Sequence, residues 1–243
     1  MDDVGNVVAA AAGVMPRGRG GSRLSDARTR RLMRAAAVLG IAAMVLTLVV
    51  AAEGAPLAGD VRVARWVQDS GLQENAGIIN ALGDWRWVPF AASVALIAFG
   101  MRLGGGRAPA AARGGALAAY IVVLPLWTWS SILKLIVASP RPAAEFGLSI
   151  DRARDSYGFP SGHVYGDVLV YGAMAAWATA FVHPRAVLPV RAAAVAVIVL
   201  AGPARIVVGA HWPSDVLGAY LWGGCALCLA LAAGRALHAL ARR

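Results

Sequence analysis

Residues 114–136 read GGALAAYIVVLPLWTWSSILKLI, a run with one charge in it. A helix of that length crosses the roughly 30 Å hydrocarbon core of a bilayer. The single charge, Lys134, is the only lysine of the 243 residues; the other 22 basic residues are arginines. Working outward, comparable apolar runs recur at about 35–54, 87–103, 163–182, 187–208 and 213–234. Hydrophobic residues make up 59% of the chain and charged residues 15%, with mean hydropathy +0.63. A soluble domain carries about 25% charge. The expected fold is therefore all-α: a polytopic membrane protein with six transmembrane helices over residues 31–243, preceded by a flexible cytoplasmic tail, 1–30.

The net charge of +10 would suit a nucleic-acid partner if it were clustered, but the arginines are distributed by side of the membrane. With the N-terminus inside, Lys and Arg number fifteen on inside segments and eight outside. That bias follows the positive-inside rule, puts both termini in the cytoplasm, and makes the bilayer the partner with no nucleic acid implied. The N-terminal apolar patch, Val7 to Val14, is too short to span, and Asp2 and Asp3 replace the basic start of a signal peptide. Trp85, Trp87 and Trp212 fall at expected outer boundaries, where indole rings prefer to sit.

The same topology puts three polar clusters at the outer edge of the membrane. The first is Lys134-Leu-Ile-Val-Ala-Ser-Pro-Arg141-Pro142. Its two cations suit a phosphate, lysine as a point charge and arginine as a planar fork. Pro140 and Pro142 keep the backbone around Arg141 out of the helix. Alone, the cluster also fits a lysine snorkelling from a helix end beside a surface arginine. The second, Pro160-Ser161-Gly162-His163, precedes an apolar run and reads as a helix start. Backbone N–H groups there favour an anion, Ser161 is a cap and hydroxyl donor, and Gly162 admits close approach. His163 would sit at the mouth, able to protonate a leaving alkoxide. An ordinary cap with an interfacial histidine fits the same residues.

The third cluster runs from Arg205 through Gly209 and His211 to Asp215. His211 and Asp215 are four apart, one helical turn. A carboxylate on one imidazole nitrogen fixes the tautomer and frees the other nitrogen to attack phosphorus. A purely structural His–Asp pair is the alternative. Cys225 and Cys228 have no second pair to complete a zinc site, and read as small residues on a packed helix face.

Together the clusters resemble the type 2 phosphatidic acid phosphatase superfamily, which also includes vanadium haloperoxidases. The family pattern is K-x6-R-P, then P-S-G-H, then S-R-x5-H-x3-D; the chain departs from it at Ala204, where the third motif often has serine. The resemblance implies a lipid phosphatase with His211 as nucleophile, Asp215 orienting it and His163 as general acid. It assigns Lys134, Arg141, Ser161, Gly162 and Arg205 to the phosphate, with no metal or other cofactor. Polyprenyl diphosphate, phosphatidylglycerophosphate and phosphatidic acid are the substrates to consider. The alternatives are phosphoryl transfer to an acceptor other than water, and a non-catalytic lipid-phosphate binder or transporter.

Overall fold

The computed structural model describes residues 19–102, 110–150 and 155–240, and all regular structure among them is helical. The elements are α1 (Arg19–Glu53), α2 (Asp60–Gln68), α3 (Gln73–Asp84), α4 (Trp87–Arg102), α5 (Ala110–Trp127), α6 (Trp129–Val137), a 3-10 turn (Ala144–Phe146), α7 (Gly162–Phe181), α8 (Pro184–Val207) and α9 (Pro213–Leu240). Helix α1 begins inside the stretch expected to be a tail; residues 1–18 lie outside the described residues.

Among the described residues, five segments are long and apolar enough to cross a membrane: Ala27–Glu53, Ala116–Val137, Gly162–Phe181, Pro184–Val207 and Pro213–Leu237. The expected sixth, 87–103, corresponds to α4 (16 residues), in which Trp87–Ala98 is a shorter apolar stretch among the described residues. The sixteen helical residues of α4 rise about 24 Å, shorter than the five spans.

The apolar segment 114–136 is broken once. Pro125 lacks the N–H that would continue the helical ladder, and the chain steps at Thr128 from α5 into α6. The step re-aims α6, which closes at Val137 with Ala138 in the left-handed region (φ 49°). The extended Ser139-Pro140-Arg141-Pro142 segment follows directly.

Helix α9 is the hub, packing on α1, α5 and α7, while α7 also packs on α8. Small residues let these helices approach closely, as in other membrane bundles. A Cβ on Gly166 would lie 2.0 Å from the Trp127 ring, and one on Gly172 would lie 2.3 Å from Leu227. Cys225 packs against Gly40 of α1, consistent with its reading as a small packing residue. Burial separates inner from outer helices: 61% of the α7 span is buried against 17% of the α8 span. Exposed Leu188, Val195 and Val199 on α8, and Val38, Ile41 and Leu48 on α1, form apolar faces suited to lipid.

Short helices α2 and α3 lie across the end of the bundle where α7 and α9 begin. Asp60 at the start of α2 accepts from the Ser214 backbone N–H (2.9 Å) and hydroxyl (2.7 Å), capping the first turn of α9. Gln68 at the end of α2 donates to the Val207 carbonyl at 3.1 Å, satisfying the C-terminus of α8. That end of the bundle is thereby fixed from outside the helices that carry the three motifs.

Candidate active site

The three clusters meet where α6 and α8 end and α7 and α9 begin. Lys134, in the last turn of α6, donates to the carbonyls of Tyr157 and Gly158, both at 2.8 Å. Arg141 donates to the Ser156 carbonyl (2.6 Å), the Ser156 hydroxyl (3.0 Å) and the Ala210 carbonyl (2.5 Å). The loop before Pro160 thus wraps both cations. Gly158 within it is confined: a Cβ there would lie 2.7 Å from the Asp215 carboxylate.

Backbone bonds join the second and third clusters. Ser161 N–H donates to the Asp215 carbonyl at 3.1 Å, and Gly162 packs near the Lys134 stem. Ser161 occupies the N-cap position of α7 without a side-chain capping bond, contrary to expectation. Its hydroxyl is buried with no hydrogen-bond partner, so it is a donor not committed to the helix. Gly209 has φ 62°, and a Cβ on it would lie 2.3 Å from the Ser149 carbonyl. Gly209→Ala is therefore expected to cost about 2 kcal/mol or more in stability. The check is a lower thermal unfolding midpoint in detergent; an unchanged midpoint would mean the loop relaxes freely.

His211 is buried, with Nδ1 3.2 Å from Asp215 Oδ2, which also accepts from the Trp212 N–H at 3.0 Å. Its other nitrogen, Nε2, lies 3.1 Å from Arg141 Nη1. A guanidinium is only a donor, so Nε2 carries the lone pair and Nδ1 the proton. Burial, followed by the charges of Lys134, Arg141, Arg205 and His163, holds the His211 pKa well below the ordinary imidazole value. The ring stays neutral with Nε2 turned toward the cations. Arg205, also buried, donates from Nη1 to Asn80 Oδ1 at 2.9 Å. All eight residues expected from sequence converge here.

His163 stands at the rim, its side chain a quarter exposed against 2% for His211. Its Nε2 is 2.6 Å from Asp84 Oδ1 at the end of α3. Burial raises the Asp84 carboxyl pKa, but the hydrogen bond and charge of His163, then Arg205 and Arg86, bring it below the usual range. Asp84 and Asn80, one on each of two motif cations or acids, are the residues sequence reasoning missed. Their partners are 79 and 125 positions away, and no local spacing announces them.

Trp212 is corrected as well. Placed by hydropathy at the membrane boundary, it is fully buried and donates its indole N–H to the Pro140 carbonyl at 3.1 Å. Phe146 packs edge-on against it, 5.4 Å between centroids. Trp212 is a clamp between the first and third clusters, whereas Trp85 and Trp87 are exposed as expected. Among the described residues, no group of three or more His, Cys, Asp or Glu side chains is arranged to hold a metal ion.

The PAP2 superfamily model matches residues 114–238. The chain is similar in structure to the "first transmembrane PAP2 type phosphatidylglycerolphosphate phosphatase from Bacillus subtilis". The two share 20% identity and a TM-score of 0.62, over 80% of this chain and 93% of that one. No curated protein matches the sequence.

Proposed function

This chain belongs to the PAP2 superfamily, and from that premise we propose that it is an integral-membrane lipid phosphatase working through a phosphohistidine. The observation that carries the reading is the neutral, buried His211, with Nδ1 on Asp215 and Nε2 among three cations. A non-catalytic binder would need the cations but has no use for an imidazole held in a nucleophilic tautomer.

Lys134, Arg141 and Arg205 hold the substrate phosphate, with Ser161 and the Gly162 backbone donating to its oxygens. His211 Nε2 attacks phosphorus, and the bond to the leaving oxygen breaks as His163 gives that oxygen a proton. Water then attacks the phosphohistidine, His163 takes its proton, and phosphate leaves with the His211 ring restored. Because Asp84 occupies Nε2 of His163, the transferred proton moves through Nδ1. The cations neutralise phosphate without a metal, so activity is expected to survive EDTA within about twofold; loss that added divalent cation restores would refute this part.

Asp84 positions His163 and supplies negative charge beside a ring that must carry a proton. Asp84→Asn is expected to lower kcat about 10- to 100-fold while leaving KM within a few-fold, as for loss of an acid's partner. The lowered Asp84 pKa means the carboxylate is present above the ordinary carboxylate range and lost only as pH falls below it. The wild-type advantage over Asn should therefore hold from pH 5 to 8. A KM effect alone would make Asp84 a substrate contact instead.

The substrate is a lipid phosphate. Lys134 is followed by Leu135 and Ile136, 74% and 69% exposed, so apolar surface adjoins the cations. A phosphate held at Lys134 can keep its tails in the bilayer. We assign the site to the extracytoplasmic face of the cell membrane on the arginine bias, with both termini cytoplasmic. The test is phosphate release from phosphatidic acid, phosphatidylglycerophosphate and polyprenyl diphosphate by purified protein without added acceptor. Release from any of them supports hydrolysis; release only with an added alcohol acceptor would point to transfer.

A further inference from the structure

The far end of the bundle holds a second cationic site. Trp177 follows the start of α7 by about four turns, roughly 22 Å, and Arg235 follows Asp215 by roughly 30 Å along α9. There Arg28, Arg31, Leu32, Ala176, Trp177, Leu231 and Arg235 surround a cavity of about 250 Å³. It is formed by α1, α7 and α9, and shares no residue with the site described above.

The lining of this cavity suits an anion. Three guanidiniums line it, and among residues whose side chains are described none of them forms an ion pair. Arg28, Arg31 and Arg235 line the same cavity, so an anion within it would meet three positive charges at once. Trp177 also lines the cavity, and its indole nitrogen is buried with no hydrogen-bond partner. An indole N–H only donates, so what it lacks is an acceptor.

The surroundings choose the kind of anion. Leu32 and Leu231 line the cavity beside the arginines, and the outward face of α1 continues with exposed Met33, Val38 and Ile41. Charge at one level and apolar surface along one helix match a headgroup at the membrane boundary with chains running toward the bilayer centre. Basic pockets between transmembrane helices hold anionic headgroups in this way. We propose that this cavity binds the phosphodiester headgroup of an anionic phospholipid in the leaflet opposite the catalytic face. Arg31 and Arg235 grip the phosphate, Arg28 adds charge, and Trp177 forms the wall beside them. The bound lipid ties the start of α1 to the ends of α7 and α9, the latter two being the helices whose other ends carry His163 and Asp215. This assignment is independent of the catalytic one.

The experiment compares phosphatidylglycerol with phosphatidylcholine, titrated into the full chain in detergent. Lipid binding is read by native mass spectrometry and by the shift in thermal unfolding. Phosphatidylglycerol carries a phosphodiester and no terminal phosphate, which separates it from the phosphatase substrates. Wild type should retain it at least tenfold better than phosphatidylcholine. The double variant Arg31→Gln/Arg235→Gln should lose about ten- to thirtyfold of that affinity while keeping phosphatase turnover within twofold. Should the double variant fail to fold, Arg31→Gln alone should lose about fivefold. Inorganic phosphate at millimolar concentration should neither displace the lipid nor reproduce its thermal shift. Equal retention of both lipids, unchanged affinity in the variants, or equal effect of inorganic phosphate would each overturn the lipid assignment; the last would make it a free-anion site.

Discussion

His211→Ala is expected to reduce phosphate release by about 10⁴-fold or more, because it removes the atom that forms the covalent intermediate. The imidazole is buried among cations, and its removal leaves Arg141 without its Nε2 contact but keeps the Arg141 bonds to Ser156 and Ala210. The variant should therefore fold, with an unfolding midpoint within a few degrees of wild type. Quenched wild type incubated with labelled substrate should hold acid-labile, base-stable phosphate, and the variant none. Label that persists in the variant would assign the nucleophile elsewhere. The lowered His211 pKa adds a pH signature. An ordinary histidine, with pKa about 6.5, would be mostly protonated at pH 5.5 and lose about tenfold in nucleophilic form. Here the phosphorylation step should lose less than about twofold between pH 7 and 5.5. A single-turnover acid limb centred near the ordinary value would contradict the buried, cation-surrounded ring.

Asp215→Asn is expected to cost about 10³- to 10⁴-fold in turnover, nearly as much as losing the histidine. The carboxylate oxygen Oδ2 accepts from both His211 Nδ1 and the Trp212 N–H. An asparagine that keeps its oxygen on the Trp212 N–H cannot ensure the same tautomer of His211, and one that turns its amide inward presents a donor to a donor. The paired substitution with His211→Ala should cost little more than His211→Ala alone, since the two act as one device. Multiplicative costs would mean that Asp215 serves the reaction separately from the histidine. Binding of vanadate, measured directly, should weaken far less than turnover does.

Much of this could be read from the chain because the relevant forces are local. A run of about 20 apolar residues has few fates other than a membrane helix, and five such segments are present among the described residues. His211 and Asp215 are joined by one helical turn, and the Pro-Arg-Pro and Pro-Ser-Gly-His stretches carry their backbone geometry in their own residue types. What stayed hidden depends on tertiary placement. Asp84 ends a helix that looks like an ordinary polar loop in sequence, and only the fold brings it 2.6 Å from His163. Trp212 was misjudged because hydropathy locates a residue along the membrane normal but not across the bundle; its indole N–H found Pro140 inside the protein. Helix α4, 16 residues from Trp87 to Arg102, is shorter than the five spans, and a count of apolar residues alone does not distinguish it from them.

The three motifs lie between Lys134 and Asp215, within the stretch 114–238 that defines the family here. Yet Asp60 caps α9, Asn80 holds Arg205 and Asp84 holds His163, and all three precede that stretch. A graft of the motif-bearing stretch onto a foreign pair of leading helices would inherit every signature residue with three of its buttresses missing. The portable unit of this protein is thus larger than its signature, and truncation should be counted from Asp60 rather than from the first motif.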